Sequence, residues 1–413
     1  MTTTRNTATK TAAPASMQQL ERRELFAGGY TLIDLGVSTE YTGNIGHQIN
    51  NAGVVVNTHG VYLPGSKGKF SYLKLNPAGV THASATALNN AGVLVGQAFH
   101  VAPQDSNATL YSYAKSAKGY AALDLGNGGN RGSNAKAIND LGQVGGTLLT
   151  DDSGSHAFLA GVKRGRVGIV DLQKMLPANA GFQFRAVESM NNNGQLVVRG
   201  GLAGTSVNGM SWLVKVTKNG MGYVELPPLD ATDPGRYANA INDKGVVVGD
   251  SSQPGFNAFH ATAWVVGKKG VGTIDLGTLG GKKSRAFDIN NAGTIVGFSD
   301  EKYGPDEAVM WTLNKKGRYV ITNLNDVSGT NKLRLSYAKS INDNGWIVCE
   351  AVDANHKLHT VILAPNGSKK AAPASAKAPV VATAPQVTHT LPAVQQAGNV
   401  FGTTQIRAEE VWD

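Results

Sequence analysis

Apolar and polar positions alternate along most of this chain in short runs separated by Gly, Asn, Asp and Lys, a period of two that predicts strands. Seven runs stop at an Asn that is preceded by an apolar residue, followed by Asn or Asp, and trailed by Gly three places on: Asn50, Asn89, Asn139, Asn191, Asn242, Asn290 and Asn342. Such a stretch is a tight hairpin, because Asn and Asp bond their own backbone and Gly takes positive φ. An apolar residue recurs two places after each Gly (Val55, Leu94, Val144, Leu196, Val247, Ile295, Ile347), which marks a buried second strand. A small residue stands four places before most of the Asn (Gly46, Ala85, Ala135, Ala238, Ala286, Ala338; Val187 departs), and crowding near an axis explains it. Third strands carry Tyr62, Phe158, Trp212, Trp264 and Trp311.

Fourth strands read like Thr-Ile-Asp-Leu-Gly, at Tyr72–Asn76, Ala121–Gly126, Gly168–Gln173, Gly222–Pro227, Gly272–Gly277 and Tyr319–Asn325. The Asn-to-Asn spacings of 39, 50, 52, 51, 48 and 52 with four strands per unit predict an all-β fold, a seven-bladed β-propeller of four-stranded blades. The seventh unit stops after its third strand, and an orphan fourth strand stands at Tyr30–Gly36. The N-terminal strand is therefore expected to complete the last blade, which removes both open sheet edges. The domains follow: 1–29 a disordered, export-type N-terminal segment, with a short charged helix as the alternative; 30–364 the propeller; 365–398 an Ala/Pro-rich linker; 399–413 a tail peptide.

With 413 residues and 41% apolar content the chain can bury a large core, and its single cysteine, Cys349, excludes an internal disulfide and a Cys-rich zinc site. No apolar run is long enough for a transmembrane helix, and no secretory signal of the usual kind is visible. Asp34, Asp124, Asp171 and Asp275 recur on fourth strands, and His59, His156, His260 and His359 start third strands. Residues that recur around a ring are structural hydrogen-bonders, so no catalytic residue, metal ligand or cofactor-binding residue is assigned among them. Calcium is the one cofactor weighed, on acidic loops holding Asp105, Asp151, Asp152, Asp250, Asp300, Glu301, Asp306, Glu307 and Asp353.

The net charge of +9 is concentrated in the third-to-fourth-strand turns. These hold Lys67, Lys69, Lys115, Lys118, Lys163, Arg164, Arg166, Lys215, Lys218, Lys268, Lys269, Lys315, Lys316 and Arg318. Together they form a basic rim suited to a polyanion, with acidic loops expected on the opposite face. Aromatic residues do not interleave with the tips, which argues against nucleic acid.

Asp275-Leu-Gly-Thr-Leu-Gly-Gly281, Ser284-Arg-Ala-Phe-Asp-Ile-Asn-Asn-Ala-Gly293 and His156-Ala157-Phe158 resemble the bacterial extracellular HAF repeat family over roughly residues 30–364. Leu20-Glu21-Arg22-Arg23-Glu24-Leu25-Phe26 resembles an N-terminal motif of planctomycete-type surface proteins. The resemblance implies an extracellular or cell-surface location and supplies no catalytic residues. The expected function is a non-catalytic binding or scaffold module for a polysaccharide or protein partner. The alternatives are a propeller-type glycan hydrolase or lyase and a self-assembling structural subunit.

Overall fold

The computed structural model describes residues 18–20, 25–27, 29–37, 48–100, 106–114, 118–151, 154–163, 166–205, 209–233, 235–254, 258–267, 270–328 and 332–366. The linker and tail, 365–398 and 399–413, fall outside these residues apart from positions 365 and 366, as does most of 1–29. The chain is all-β, built of antiparallel four-stranded sheets in which strands that follow one another in sequence lie side by side. In each such sheet the first-to-second and third-to-fourth turns lie at the same end.

The seventh sheet has the order Leu333–Ile341, Ile347–Asp353, Leu358–Pro365, and its fourth strand is Tyr30–Val37. Leu32 stands opposite Leu363 and Ile33 opposite Ile362, so the two ends of the repeat region share one sheet. Gln18–Leu20 adds a fifth strand to the first sheet, against Phe70–Lys74, and Leu25–Ala27 adds one to the seventh, against Tyr30–Val37. These six residues of the N-terminal segment are therefore extended, where the sequence predicts disorder or a charged helix. A sheet edge gives each strand a partner that an isolated helix of this length lacks.

Fourth strands begin about two residues earlier than expected, at Gly119, Arg166, Gly220 and Gly270, directly after the hairpin tip. Gly119–Gly126 keeps its Asp-Leu-Gly end paired through a register shift, whereas Arg166–Asp171 and Gly270–Asp275 stop at the Asp. The fifth and sixth sheets are joined by a parallel pairing at Phe259 and Lys283, which no sequence signal announces.

The recurrent small residue has a different cause from the expected axial crowding. Ala85, Ala135, Ala238 and Ala286 stand opposite Gly96, Gly146, Gly249 and Gly297 of the second strand. A Cβ on Gly249 would meet the Tyr237 carbonyl oxygen at 2.0 Å. Every one of these Ala residues also precedes a register shift, after Ala85, Ala135, Ala238 and Ala286. The bulge folds the first strand onto the second, and in these four sheets Ala facing Gly leaves the room. In the seventh sheet the pair is Ala338 and Cys349, which makes Cys349 a fully buried packing residue whose thiol burial pushes up. Val187 departs where it faces Val198 and packs over Gly145 of the third sheet, on which a Cβ would meet Val187 Cγ1 at 2.5 Å; Gly46 lies outside the described residues.

Seven apolar clusters each join two successive sheets. Trp264 packs on Val197, Leu213 and Leu226 of the fourth sheet, and its Nε1 donates to the Pro227 carbonyl at 2.7 Å. Trp311 repeats this on the fifth sheet, donating to the Leu276 carbonyl at 2.8 Å. Ile33, Leu35, Trp346 and Ile362 of the seventh sheet pack against Ile49, Val55, Tyr62 and Phe70 of the first. The apolar residues after the turn Gly, from Val55 to Ile347, are 0–1% exposed.

Candidate functional site

The site grows out of the turns. In the turn Asn242–Gly245 the Asn242 carboxamide oxygen accepts from the backbone N–H of Lys244 and Val246, while Gly245 takes φ +77°. One group remains, the Asn242 Nδ2, and it donates to the carbonyl of Asn290 at 3.1 Å. The same bond runs from Asn50 to Asn89, on to Asn139, Asn191, Asn242, Asn290 and Asn342, and from Asn342 back to Asn50, at 2.9–3.1 Å throughout. These Asn residues therefore hold the turns and also link each sheet to the next.

A second circuit lies beside the first. The backbone N–H of Asn51, Asn90, Asp140, Asn192, Asp243, Asn291 and Asp343 each donates to the side-chain oxygen of the next, at 2.8–2.9 Å. Asp140 accepts from the amides of Asn90 and Asn192, Asp243 from those of Asn192 and Asn291, and Asp343 from those of Asn51 and Asn291. Donor amides thus alternate with acceptor carboxylates. An odd circuit cannot alternate throughout, and the unavoidable like pair is Asn51 beside Asn90, which avoids two adjacent carboxylates.

These turns frame a polar cavity of about 190 Å³ whose walls include Lys136, Ile138, Glu188, Met190, Ile241 and Asp288. Lys136, Glu188 and Phe287 occupy the bulge position, three places before the Asn, where the side chain leaves the regular ladder. Lys136 meets Glu188 at 2.9 Å, and Arg199 meets the same carboxylate at 2.6 Å. Asp288 accepts from Ser340 Oγ at 2.6 Å and from the N–H of Ile341 and Ile289 at 3.0 and 2.8 Å. Burial pushes the Asp288 carboxyl up to about 6, against these hydrogen bonds.

A carboxyl raised on folding is protonated in the native state before it is in the unfolded chain, so stability falls as pH rises through the window from about 4 to about 6. Asp288→Asn removes the ionisation. The variant is expected to gain about 0.5–1 kcal/mol on the natural protein between pH 5 and pH 7, less than the full linkage value because Asp288 is partly open to the cavity. Urea melts of both proteins at the two pH values measure it, and a constant difference would remove Asp288 from the account.

Beyond the bulge, ionisable groups from inequivalent positions converge. Asp250 pairs with Arg285 at 2.6 Å, Lys339 with Glu350 at 3.7 Å, and Tyr337 donates to Asp306 at 2.6 Å. Lys339 also lies 4.8 Å from the Phe287 ring and 4.7 Å from that of Tyr337. Sequence reasoning missed this group and placed Asp250, Asp300, Glu301, Asp306 and Glu307 in solvated loops. They are instead strand residues, and Asp250 is 2% exposed. Alternation buries every second residue of a strand regardless of charge, and an Arg on the next sheet compensates, as Arg285 does for Asp250 and Arg334 for Glu307. The available signal was the bulge position itself, which reads Thr86, Lys136, Glu188, Asn239, Phe287 and Lys339 in units otherwise alike.

Asp353 is a turn residue that accepts from the N–H of Asn355 and Lys357. Asp151 is exposed, while Asp105 and Asp152 lie outside the described residues. Among the described residues no three His, Cys, Asp or Glu side chains gather as metal ligands.

The recurrent His and Asp residues meet within sheets: His156 with Asp171 and His260 with Asp275 at 2.9 Å, and His359 with Asp34 at 3.1 Å. The second oxygen of Asp171 and of Asp275 is already used, by the N–H of Gln173 and Gly277, whereas the Gly36 N–H bonds the same Asp34 oxygen that His359 approaches at 3.1 Å. Asn107 replaces His on Asp124, and Arg236 pairs with Glu225 in the fourth sheet. The last pair ties Asp34 of the N-terminal strand to a residue 325 positions away.

Of the expected basic rim, Lys69, Lys118, Arg166, Lys218, Lys315, Lys316 and Arg318 are exposed at third-to-fourth turns, and Lys215 is half-buried. Lys115, Arg164, Lys268 and Lys269, and the side chains of Lys67 and Lys163, lie outside the described residues. Because both kinds of turn share one end of a sheet, the basic tips stand at the same end as the Asn and Asp circuits. No known family model and no curated protein matches this chain.

Proposed function

We propose that the chain is a seven-bladed β-propeller of the HAF type, its last blade completed by Tyr30–Val37, and that it acts as a non-catalytic binding module or scaffold at a cell surface. The two hydrogen-bonded circuits that return from Asn342 and Asp343 to Asn50 and Asn51 support the closed architecture. The binding surface is the basic rim, and its ligand is an acidic polysaccharide. The observation that carries this is the exposure of seven cationic side chains at hairpin tips sharing one end of their sheets, Lys69 to Arg318. Glu188 and Asp288 on the cavity wall are by contrast consumed by partners of their own.

Immobilised polygalacturonate and neutral dextran, compared at about 50 and 300 mM salt, test it, because exposed charges are screened over that range. The acidic polymer should be retained at low salt and released at high salt, and dextran should not be retained. Replacing Lys315, Lys316 and Arg318 by Gln should weaken retention roughly threefold to tenfold. Retention unchanged by salt and by the triple variant would sink the rim as the binding surface. An enzyme is the second reading, favoured by the Asp288 carboxyl near 6 in a polar cavity. It requires turnover of a retained oligosaccharide and loss of that turnover in Asp288→Asn.

A further inference from the structure

The cavity wall is not the same in all sheets. In each first strand the residue before the Asn sits in a pair whose N–H turns away from the second strand. For Ile138 the pairing is with Val144, next to the bonded pair in which Asn139 N–H donates to Gln143. Elsewhere that inward N–H is met by a side chain. Gln48 accepts from Leu88, Ser340 from Ile49, and Asp288 from both Ile341 and Ile289.

The acceptor generally comes from the preceding sheet, two places before its Asn. For Ile138 and Met190 that place holds Ala87 and Ala137, which have nothing to offer, and Ser189 makes no such bond to Ile241. Among the described residues these three N–H groups have no protein acceptor, and all three residues line the cavity. Buried donors of this kind demand an acceptor. On the same arc Lys136 and Arg199 balance the charge of Glu188, and the carboxylates of Asp140 and Asp243 also line the cavity.

We propose that this half of the cavity, walled by the third to fifth sheets, binds a small zwitterionic amino acid. Its carboxylate takes the inward N–H groups, and its ammonium faces Asp140 and Asp243. A free anion would be repelled by the mouth, and a simple amine would leave the donors unmet. The site is separate from the basic rim and does not depend on it.

Isothermal titration of the full chain with glycine, L-alanine, acetate, ethylamine and glucose tests the assignment. One equivalent of an amino acid should bind, with acetate, ethylamine and glucose at least about tenfold weaker, since each lacks one of the two matched ends. Ala137→Gln should offer Met190 the acceptor that Gln48 gives Leu88, and Ala87→Gln should do the same for Ile138. Either should weaken amino-acid binding by about tenfold or more, with the melting temperature held or raised. If one of the two fails to fold, the other carries the test. The Lys315, Lys316 and Arg318 triple variant should bind amino acids as the natural protein does, which separates this site from the rim. No heat with either amino acid, equal binding of acetate, ethylamine or glucose, or full binding by a folded Ala→Gln variant would overturn the proposal.

Discussion

Removal of residues 1–36 is expected to leave a chain that no longer unfolds cooperatively. The segment carries most of Tyr30–Val37, and with it Leu32, Ile33 and Leu35, which are 1%, 5% and 3% exposed. Burying three such side chains contributes about 5–9 kcal/mol, against a usual total of about 5–15 for a domain. The deletion also bares the edge of Leu358–Pro365, whose Val361, Ile362 and Leu363 are fully buried, and it leaves His359 without Asp34. An open apolar edge of this kind invites association, so the product should elute as aggregate. Deleting residues 1–29 is the control. It keeps Tyr30–Val37, loses among the described residues the two short added strands and the Gly29 carbonyl that accepts from Asn366, and should still melt cooperatively. A synthetic peptide of residues 30–37 added to the longer deletion should restore part of the transition. Thermal melts followed by circular dichroism decide the matter: a 1–36 deletion that melts with the full chain would end the idea that the N-terminal strand completes the last sheet.

How much of this was visible beforehand depends on whether a feature is local. The turn at Asn242–Gly245 is local, because four consecutive residues satisfy almost all of its hydrogen bonds. The buried second strands from Val55 to Ile347 are local too, since alternation states which side faces the core. The destination of the Asn242 Nδ2 is not local. It depends on a carbonyl 48 residues away, and nothing in the turn names it. The same holds for Asp250 and Arg285, where the strand pattern says that residue 250 is buried but not that an Arg on the next sheet makes its charge tolerable. The small residue before the bulge was read correctly as a mark of crowding and assigned to the wrong neighbour. Ala238 is confined by Gly249 across one pair of strands, not by an axis. The N-terminal segment misleads for another reason: its charges suit a helix in isolation, and at Gln18–Leu20 and Leu25–Ala27 sheet edges override that preference.

Asn342→Ala should cost about 3–4 kcal/mol, because it strips a buried side chain of three hydrogen bonds at once. Asn342 is 4% exposed; its oxygen accepts from Asn344 and Trp346 at 3.0 and 2.9 Å, and its Nδ2 donates to the Asn50 carbonyl at 2.9 Å. The Trp346 N–H is the group left buried and unmet. The Asn50 carbonyl keeps the Gly53 N–H, so its loss is smaller. Asn342→Asp separates the contributions: both acceptor bonds survive, while the donor becomes a carboxylate facing a carbonyl oxygen. Its folded pKa must therefore rise. Protonation restores a donor, so the destabilisation should be largest at neutral pH and fade as pH falls through that raised value. The same Ala change at Asn191 is the comparison that matters most. It shares these three bonds, with Nδ2 donating to the Asn242 carbonyl at 3.0 Å, and adds one to Gln195 Oε1 at 2.6 Å, but the two sheets it joins follow one another along the chain. Asn342 and Asn50 are 292 residues apart, and the strand that leads into the first sheet, Tyr30–Val37, is itself held to the rest of the seventh sheet only by pairing with Leu358–Pro365 among the described residues. Hydrogen exchange should therefore show early opening confined to the first and seventh sheets in Asn342→Ala, and no such seam in Asn191→Ala. Equal protection of the two variants along the junction would mean that the circuit of Asn residues stabilises each turn separately and does not hold the ends of the chain together.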